Sequence, residues 1–326
     1  FFGGDPGNVT IAGQSAGGGS VMSQMACMDN EGLFHRAVVM SAMIRSPYQA
    51  GGIGVPEELW HAEENGQHFL SFLGCSTIEQ ARKLDAATIR DKYEEYTKIF
   101  PAMFTVLDHK FCVGDPMVLF MEGKHVNVPV MSGNTSDEFP SYIEASSKED
   151  LKKKAEEIFG KNVETFLRFP EAMREDSDGK YAKVNGIECT IKCLFSDKKS
   201  AGEKKPYYYY RFDADIPGWD NAGTFHSVDL WFFFETLAKC WRPFVGRHYD
   251  LSRMMCNYWV NFIKTGDPNG NDADGKPMPY WYPYEKEKPC EMIFMSDRPV
   301  VNCGWVTPFK EFLQEQIKKT LSIGKI

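Results

Sequence analysis

A serine framed by small residues is the first feature of this chain that could carry out chemistry. Residues 13–17, Gly-Gln-Ser-Ala-Gly, fit the pattern G-x-S-x-G, in which a tight turn from strand to helix presents the serine hydroxyl to open space. The amide of Ala16 would face the same space, and the partial positive charge of a helix start would favour an oxyanion there. The pattern predicts Ser15 as a nucleophile and Ala16 as an oxyanion-hole donor.

The segments on both sides of Ser15 support this interpretation. Residues 8–12 (NVTIA) are a short β-branched run that predicts a buried strand, and residues 36–41 (RAVVMS) predict a second one. Small residues from 16 to 20 lead into a predicted helix between the two strands. Strand, helix and strand at this spacing form a βαβ unit, so we expect an α/β fold with a mostly parallel sheet.

Other uses of a glycine-rich turn fit the residues less well. A phosphate-binding P-loop needs a lysine followed by serine or threonine after its glycines, and a dinucleotide site needs G-x-G; residues 13–19 (GQSAGGG) provide neither. A turn with a purely structural serine is the remaining alternative.

A nucleophilic serine needs a base, and the base needs a carboxylate to orient it. On a hydrolase sheet of this kind the chain order is serine, acid, histidine. The best acid loop follows the predicted strand at residues 126–132 and carries Asp137 and Glu138. Of the seven histidines, only His226 and His248 come later, and His226 lies in a turn-rich stretch beyond an aromatic strand. We predict His226 as the base, and adjacency alone leaves the two carboxylates as equal candidates.

Composition excludes several classes of protein. The 326 residues are 43% hydrophobic and 25% charged, which is typical of soluble globular proteins. The formal net charge is −8 and no basic cluster occurs, so we expect no nucleic-acid partner. No apolar run approaches the ~18 residues of a membrane helix, so we expect no membrane span.

Cysteine usage gives an expectation about redox state and location. Nine cysteines are an odd number, and none forms a C-x-x-C pair. We interpret all nine as reduced thiols, which favours a reducing, cytoplasmic location. Secretion stays open as the alternative, because residue 1 is Phe rather than Met and a signal peptide cannot be sought.

A series of segments resembles one known family. They are FGGDPGNVTIAGQSAGG, LFHRAVVMSA, VPVMSGNTSDEF, GTFHSVDLWFFF, NFIKTGDPNG and WYPY. Their order and spacing are similar to those of the type-B carboxylesterases, the family that includes the cholinesterases and bacterial para-nitrobenzyl esterases. The resemblance covers nearly the whole chain.

The resemblance carries expectations for fold, activity and site. It implies an α/β-hydrolase fold with helical insertions, a small-molecule ester as substrate, and chemistry that needs no cofactor and no metal. It implies Glu138 as the acid, because the family's glutamate stands in N-x-x-D-E-G; here Phe139 replaces the final glycine. Ser41 occupies the place of a further serine that supports the nucleophile in that family.

The resemblance also bears on completeness. We expect residues 1–326 to form a single domain, the C-terminal portion of a hydrolase whose first strands are missing from this chain. The expected partner is the N-terminal segment of the same enzyme, covalent or as a separate chain, which would bring the other oxyanion-hole amides. The alternatives are a catalytically silent adhesion or binding homologue, and an inactive fragment on the same fold.

Overall fold

The computed structural model describes residues 3–49, 55–100, 102–103, 105–196 and 205–323. Phe1 and Phe2, which open the resembling segments, lie outside these ranges. The chain divides into two compact units, Phe1–Ile53 with Pro116–Ile326, and Gly54–Asp115. The single-domain assignment for residues 1–326 stays a prediction.

The larger unit is built on a six-stranded sheet. Its described strands are β1 (Thr10–Gln14), β2 (Arg36–Met40), β5 (Val130–Thr135), β8 (Tyr207–Asp213), β9 (Cys290–Met295) and β10 (Pro299–Cys303). They lie in the order β1-β2-β5-β8-β9-β10. Neighbours are parallel except β9 and β10, which are antiparallel. The predicted α/β fold with a mostly parallel central sheet is confirmed.

Helices of the larger unit cover both faces of this sheet. They are α1 (Ala16–Ala26), α5 (Pro116–Glu122), α6 (Lys148–Phe159), α7 (Val163–Leu167), α8 (Gly186–Ser196), α9 (Asp229–Phe233), α10 (Gly246–Thr265) and α11 (Pro308–Ile323). β6 (Pro140–Glu144) and β7 (Lys180–Asn185) form a separate antiparallel pair, and α6 and α7 lie between these two strands in the chain. In β2, Val39 packs into the core with α1 and α8, and Val38 into the core with α9 and α10. Successive strand residues point to opposite faces, so both faces are apolar.

The smaller unit is mainly helical. Its described elements are β3 (Glu57–Glu58), α2 (Leu59–Phe72), α3 (Ile78–Ala81), α4 (Ala86–Tyr96) and β4 (Val106–Leu107). Tyr96 is fully buried among the rings of Phe69, Phe72 and Phe100. Across the parts of both units that the structure describes, no helix is long and apolar enough to cross a membrane.

Element boundaries differ from the predictions in a way that local chemistry explains. The strand predicted at residues 126–132 begins at Val130 instead, and continues to Thr135. Pro129 has no N–H to donate, although its carbonyl still accepts from Ala37 N at 3.1 Å. The Ser147 side chain caps α6, since it accepts from the amide of Asp150.

The prediction of nine reduced cysteines is wrong. Cys290 and Cys303 form a disulfide, with their Cα atoms 4.1 Å apart. They are directly opposite in the β9–β10 ladder, so the hairpin brings together two residues 13 apart in sequence. Cysteine spacing alone carried no such signal. The other seven cysteines are free thiols, and the cytoplasmic prediction loses the argument from nine reduced thiols.

Candidate active site

The turn between β1 and α1 holds Ser15 in a strained backbone conformation. Its φ of 55° and ψ of −122° lie in a region that residues with a side chain seldom adopt. The Ser15 amide donates to the carbonyl of Met40 on β2 at 2.9 Å. A Cβ on Gly13 would overlap the backbone of Gly17. Gly13 is therefore needed for a close backbone approach to Gly17, as in a nucleophile elbow.

Ala16 is exposed and is the first residue of α1. The first amides of a helix have no acceptor within the helix. Its N–H is therefore available at the helix start beside Ser15, and the helix dipole favours negative charge there. The arrangement can supply one donor to an oxyanion.

Glu138 and His226 form a hydrogen-bonded pair at the carboxyl ends of the strands. Glu138 follows β5 and His226 precedes α9, and Glu138 Oε2 accepts from His226 Nδ1 at 2.7 Å. The Glu138 side chain has no solvent exposure, and its Oε1 accepts from the Thr135 amide at 3.2 Å. The hydrogen bond to Glu138 raises the pKa of His226 above its usual value, although desolvation opposes it.

Gln14, the residue before Ser15, contacts the other nitrogen of His226. Its Nε2 lies 3.2 Å from His226 Nε2. The carboxylate of Glu138 can only accept, so Nδ1 carries the imidazole proton and Nε2 holds the lone pair. The Gln14 amide therefore donates to the atom that a general base would use. Within the described residues, no hydrogen bond joins Ser15 Oγ to His226.

Asp137 bonds to the loop that precedes His226 rather than to His226 itself. Its Oδ2 accepts from the amide of Thr224 at 2.8 Å and from its hydroxyl at 3.1 Å. Gly223 has a φ of 63°, and a Cβ there would overlap the Asp137 carboxylate. Adjacent carboxylates thus have separate partners, Glu138 the imidazole and Asp137 the loop that carries it.

Ser41 is fully buried at the end of β2, with a φ of 48°. Its amide donates to the carbonyl of Gly133 at 2.8 Å. Its Oγ has no hydrogen-bond partner among the described residues. The structure thus gives Ser41 Oγ no hydrogen bond to Ser15 or to His226, and its supporting role stays a prediction.

Two side chains near the pair were not assigned from the sequence. Asp229, three residues after His226, is fully buried and accepts from Tyr210 Oη at 2.8 Å. Burial, together with the charge of Glu138, raises its pKa to about 6, although the Tyr210 bond opposes the shift. The ring of Phe139 lies 4.8 Å from the His226 ring, centroid to centroid. Position beside the predicted acid and base was the only sequence signal for either residue.

The profile of the carboxylesterase family matches residues 1–302. The chain belongs to the carboxylesterase family. It is 26% identical to mouse bile salt-activated lipase over 328 residues, covering 88% of this chain and 52% of the lipase. It is 26% identical to the para-nitrobenzyl esterase of Bacillus subtilis (strain 168) over 327 residues, covering 92% of this chain and 61% of the esterase.

Solved structures agree on the fold. A structure of PNB esterase has a TM-score of 0.66 and 24% identity to this chain, covering 96% of this chain and 64% of the esterase. A thermophilic PNB esterase has a TM-score of 0.67 and 22% identity, with the same coverage. At such identities the likeness establishes the fold alone. The chain spans about half the length of the curated relatives it matches, between 42% and 61%.

Proposed function

We propose that this chain carries the acyl-transfer centre of a serine carboxylic-ester hydrolase that acts on small-molecule esters. The observation that carries the proposal is the 2.7 Å bond between His226 and the unexposed carboxylate of Glu138. Ser15 follows β1, which is parallel in the sheet to β5, the strand before Glu138. All three groups therefore belong to the carboxyl ends of the parallel strands, where parallel α/β proteins bind ligands.

In the proposed reaction, Ser15 Oγ attacks the ester carbonyl while its proton passes to His226 Nε2. The carbonyl becomes a tetrahedral oxyanion, and the Ala16 amide donates to it. His226 then gives the proton to the alcohol oxygen as the carbon–oxygen bond breaks, leaving an acyl group on Ser15. Water, activated by His226, releases the acid and restores the serine.

Glu138 and Gln14 set the state of the base in this scheme. Glu138 holds the Nδ1 proton and stabilises the imidazolium that forms in each half-reaction. Gln14 donates to Nε2, so its amide must give way before Nε2 accepts from Ser15. Distances in unliganded sites commonly tighten only when substrate binds.

A second oxyanion donor is proposed to come from an N-terminal segment of the same enzyme, either covalent or as a separate chain. With one donor alone the oxyanion is less stabilised, and turnover is lower by a factor of about 10²–10³. The support is the position of β1 at the end of the sheet order, where β2 is its single partner among the strands that the structure describes.

Labelling with a fluorophosphonate probe tests the proposal. We expect one adduct on Ser15, no adduct in Ser15→Ala, and loss of p-nitrophenyl ester hydrolysis by orders of magnitude in that variant. Ser20→Ala is the matched control, because Ser20 is an exposed serine of the same helix and should leave both signals unchanged. Wild-type hydrolysis by Ser15→Ala would end the proposal, and an unlabelled wild type would favour a silent homologue.

A further inference from the structure

Phe139 is an exposed aromatic residue that lies beside His226, the proposed base. It stands between the buried Glu138 and Pro140, the first residue of β6. Its ring centroid is 4.8 Å from that of His226, with the planes 44° apart, and Phe139 is 60% exposed. A phenylalanine in the loop between acid and strand thus lies against the imidazole while most of its own surface faces solvent.

We propose that Phe139 is a specificity-determining residue that favours esters whose alcohol part is aromatic. This inference rests on the proposed function, since it concerns the same reaction. His226 must deliver a proton to the alcohol oxygen, which requires an approach of about 3 Å to Nε2. Because the Phe139 ring centroid lies 4.8 Å from the imidazole centroid, we expect a ring attached one carbon from that oxygen to reach the Phe139 ring.

The exposure of Phe139 argues against a purely structural role. Large apolar side chains gain stability by leaving water, and Phe139 has realised little of that gain in this chain. Its described ring contact is with His226 alone, and aromatic pairs prefer centroid separations of 4.5–7 Å. An aromatic ring of a substrate can therefore pack against the exposed side of Phe139.

The loop holds the ring in place without help from its own burial. The preceding Glu138 is anchored by His226 Nδ1 and by the Thr135 amide. The following Pro140 pairs with Asn185 in the antiparallel β6–β7 pair, and proline has a fixed φ. A ring held this way costs a ligand little ordering entropy. At position 139, where the family pattern has glycine, this chain therefore presents a fixed aromatic surface beside the base.

The test compares kcat/KM for benzyl butanoate and methyl butanoate in the full chain. Both alcohols leave from the same acyl group, so kcat/KM isolates the step in which the alcohol departs, and deacylation is common to both. Aromatic contacts of about 0.5–1.5 kcal/mol correspond to about two- to twelvefold in rate. We expect the benzyl-to-methyl ratio to fall by about threefold in Phe139→Leu and about tenfold in Phe139→Gly. The methyl ester is the reference, so any general effect of the substitution on His226 enters both rates and cancels in the ratio.

Two controls separate this proposal from its alternatives. Methyl phenylacetate carries its ring on the acid side, and its rate relative to methyl butanoate should not change in Phe139→Leu. Phe111→Leu alters an exposed phenylalanine of the 54–115 unit and should leave the benzyl-to-methyl ratio unchanged.

Three results would overturn the proposal. An unchanged benzyl-to-methyl ratio in Phe139→Gly, with fluorophosphonate labelling intact, would overturn it while leaving the proposed function standing. An equal loss for all esters would overturn it too, because Phe139 would then act through the imidazole rather than on the alcohol. A wild type that neither labels nor hydrolyses any ester would overturn the proposed function and this inference together.

Discussion

Gln14 Nε2 lies 3.2 Å from His226 Nε2, although 212 residues separate the two in the chain. This contact occupies the nitrogen to which Ser15 would pass its proton. A neutral amide there supports the neutral imidazole without adding charge. The residue next to the nucleophile therefore influences the basicity of His226.

Replacing Gln14 by glutamate should move the pH dependence of hydrolysis. A carboxylate beside the imidazole favours its protonated form, so the pKa of His226 should rise further above its usual value. The base works only when neutral. As the pH is lowered, the variant should therefore lose activity at a higher pH than the wild type does. We expect the acid limb of kcat/KM to move up by on the order of one pH unit in Gln14→Glu.

Two variants serve as controls for that shift. Gln14→Leu has similar size and adds no charge. It removes the amide that supports the neutral imidazole, so its acid limb should move up by less than that of Gln14→Glu. Gln24→Glu adds the same charge at an exposed position of α1 and should behave as wild type. An unmoved acid limb in Gln14→Glu would show that Gln14 has no influence on the base in solution.

Glu138 and Asp137 should differ sharply in their effect on turnover. Glu138→Gln removes the charge that stabilises the imidazolium, so kcat should fall by at least about a hundredfold. Its acid limb should also move to lower pH, because the bond that raises the pKa of His226 is weakened. Steady-state kinetics across pH, with circular dichroism to confirm folding, measure both effects.

Asp137→Asn is the comparison, because Asp137 bonds to Thr224 and not to the imidazole. An asparagine oxygen can still accept from the Thr224 amide, so we expect a small loss of kcat with a lower melting temperature. A larger loss of kcat in Asp137→Asn than in Glu138→Gln would show that Asp137, and not Glu138, has the orienting role.

How far the sequence could predict this site depends on whether a contact is local. The turn at Ser15 followed from its glycines, because the approach of Gly13 to Gly17 is a short-range backbone requirement. The contacts of Gln14 and Phe139 with His226 depend on how the end of β1, the loop after β5 and the loop before α9 come together. Cys290 and Cys303 likewise needed the hairpin register before their pairing could be recognised.

Asp229 should make the protein's stability depend on pH. Its pKa in the fold is about 6, above an unfolded value near 3.8. An acid with a raised pKa favours the fold when protonated, and that contribution is lost as the pH rises from about 4 through 6. Asp229→Asn removes this dependence and keeps an acceptor for Tyr210 Oη. The unfolding free energy of Asp229→Asn, measured relative to wild type, should therefore increase from pH 5 to pH 8 by on the order of 1 kcal/mol, which means that the variant gains relative stability.

Urea unfolding at the two pH values measures this difference. Asp215→Asn is the control, since Asp215 is exposed and pairs with the exposed Arg247. If the gap between Asp229→Asn and wild type is the same at pH 5 and pH 8, Asp229 does not titrate in the fold as inferred.

Among the strands that the structure describes, β1 pairs with β2 alone. This leads to the last prediction, that an N-terminal segment adds a strand at the other edge of β1. Val9 O accepts from His35 N, and Ser15 N donates to Met40 O, so both residues face β2. Alternate residues of a strand face opposite edges, which places the amides of Ala12 and Gln14 on the side away from β2. An unpaired edge of this kind is a template for another strand.

Hydrogen exchange resolved to single amides tests this in two preparations, residues 1–326 and the full native polypeptide with any chain bound to it. The amides of Ala12 and Gln14 should exchange fast in the first and slowly in the second, while Ser15, which bonds to Met40, should be protected in both. Turnover should rise by about 10²–10³ in the second preparation, because the added segment would supply the further oxyanion donor. Ala12→Pro removes one edge amide and leaves those facing β2, so it should weaken the association selectively. Slow exchange at Ala12 and Gln14 in residues 1–326 alone, together with full turnover, would contradict the prediction, since the edge and the oxyanion hole would then be complete within this chain.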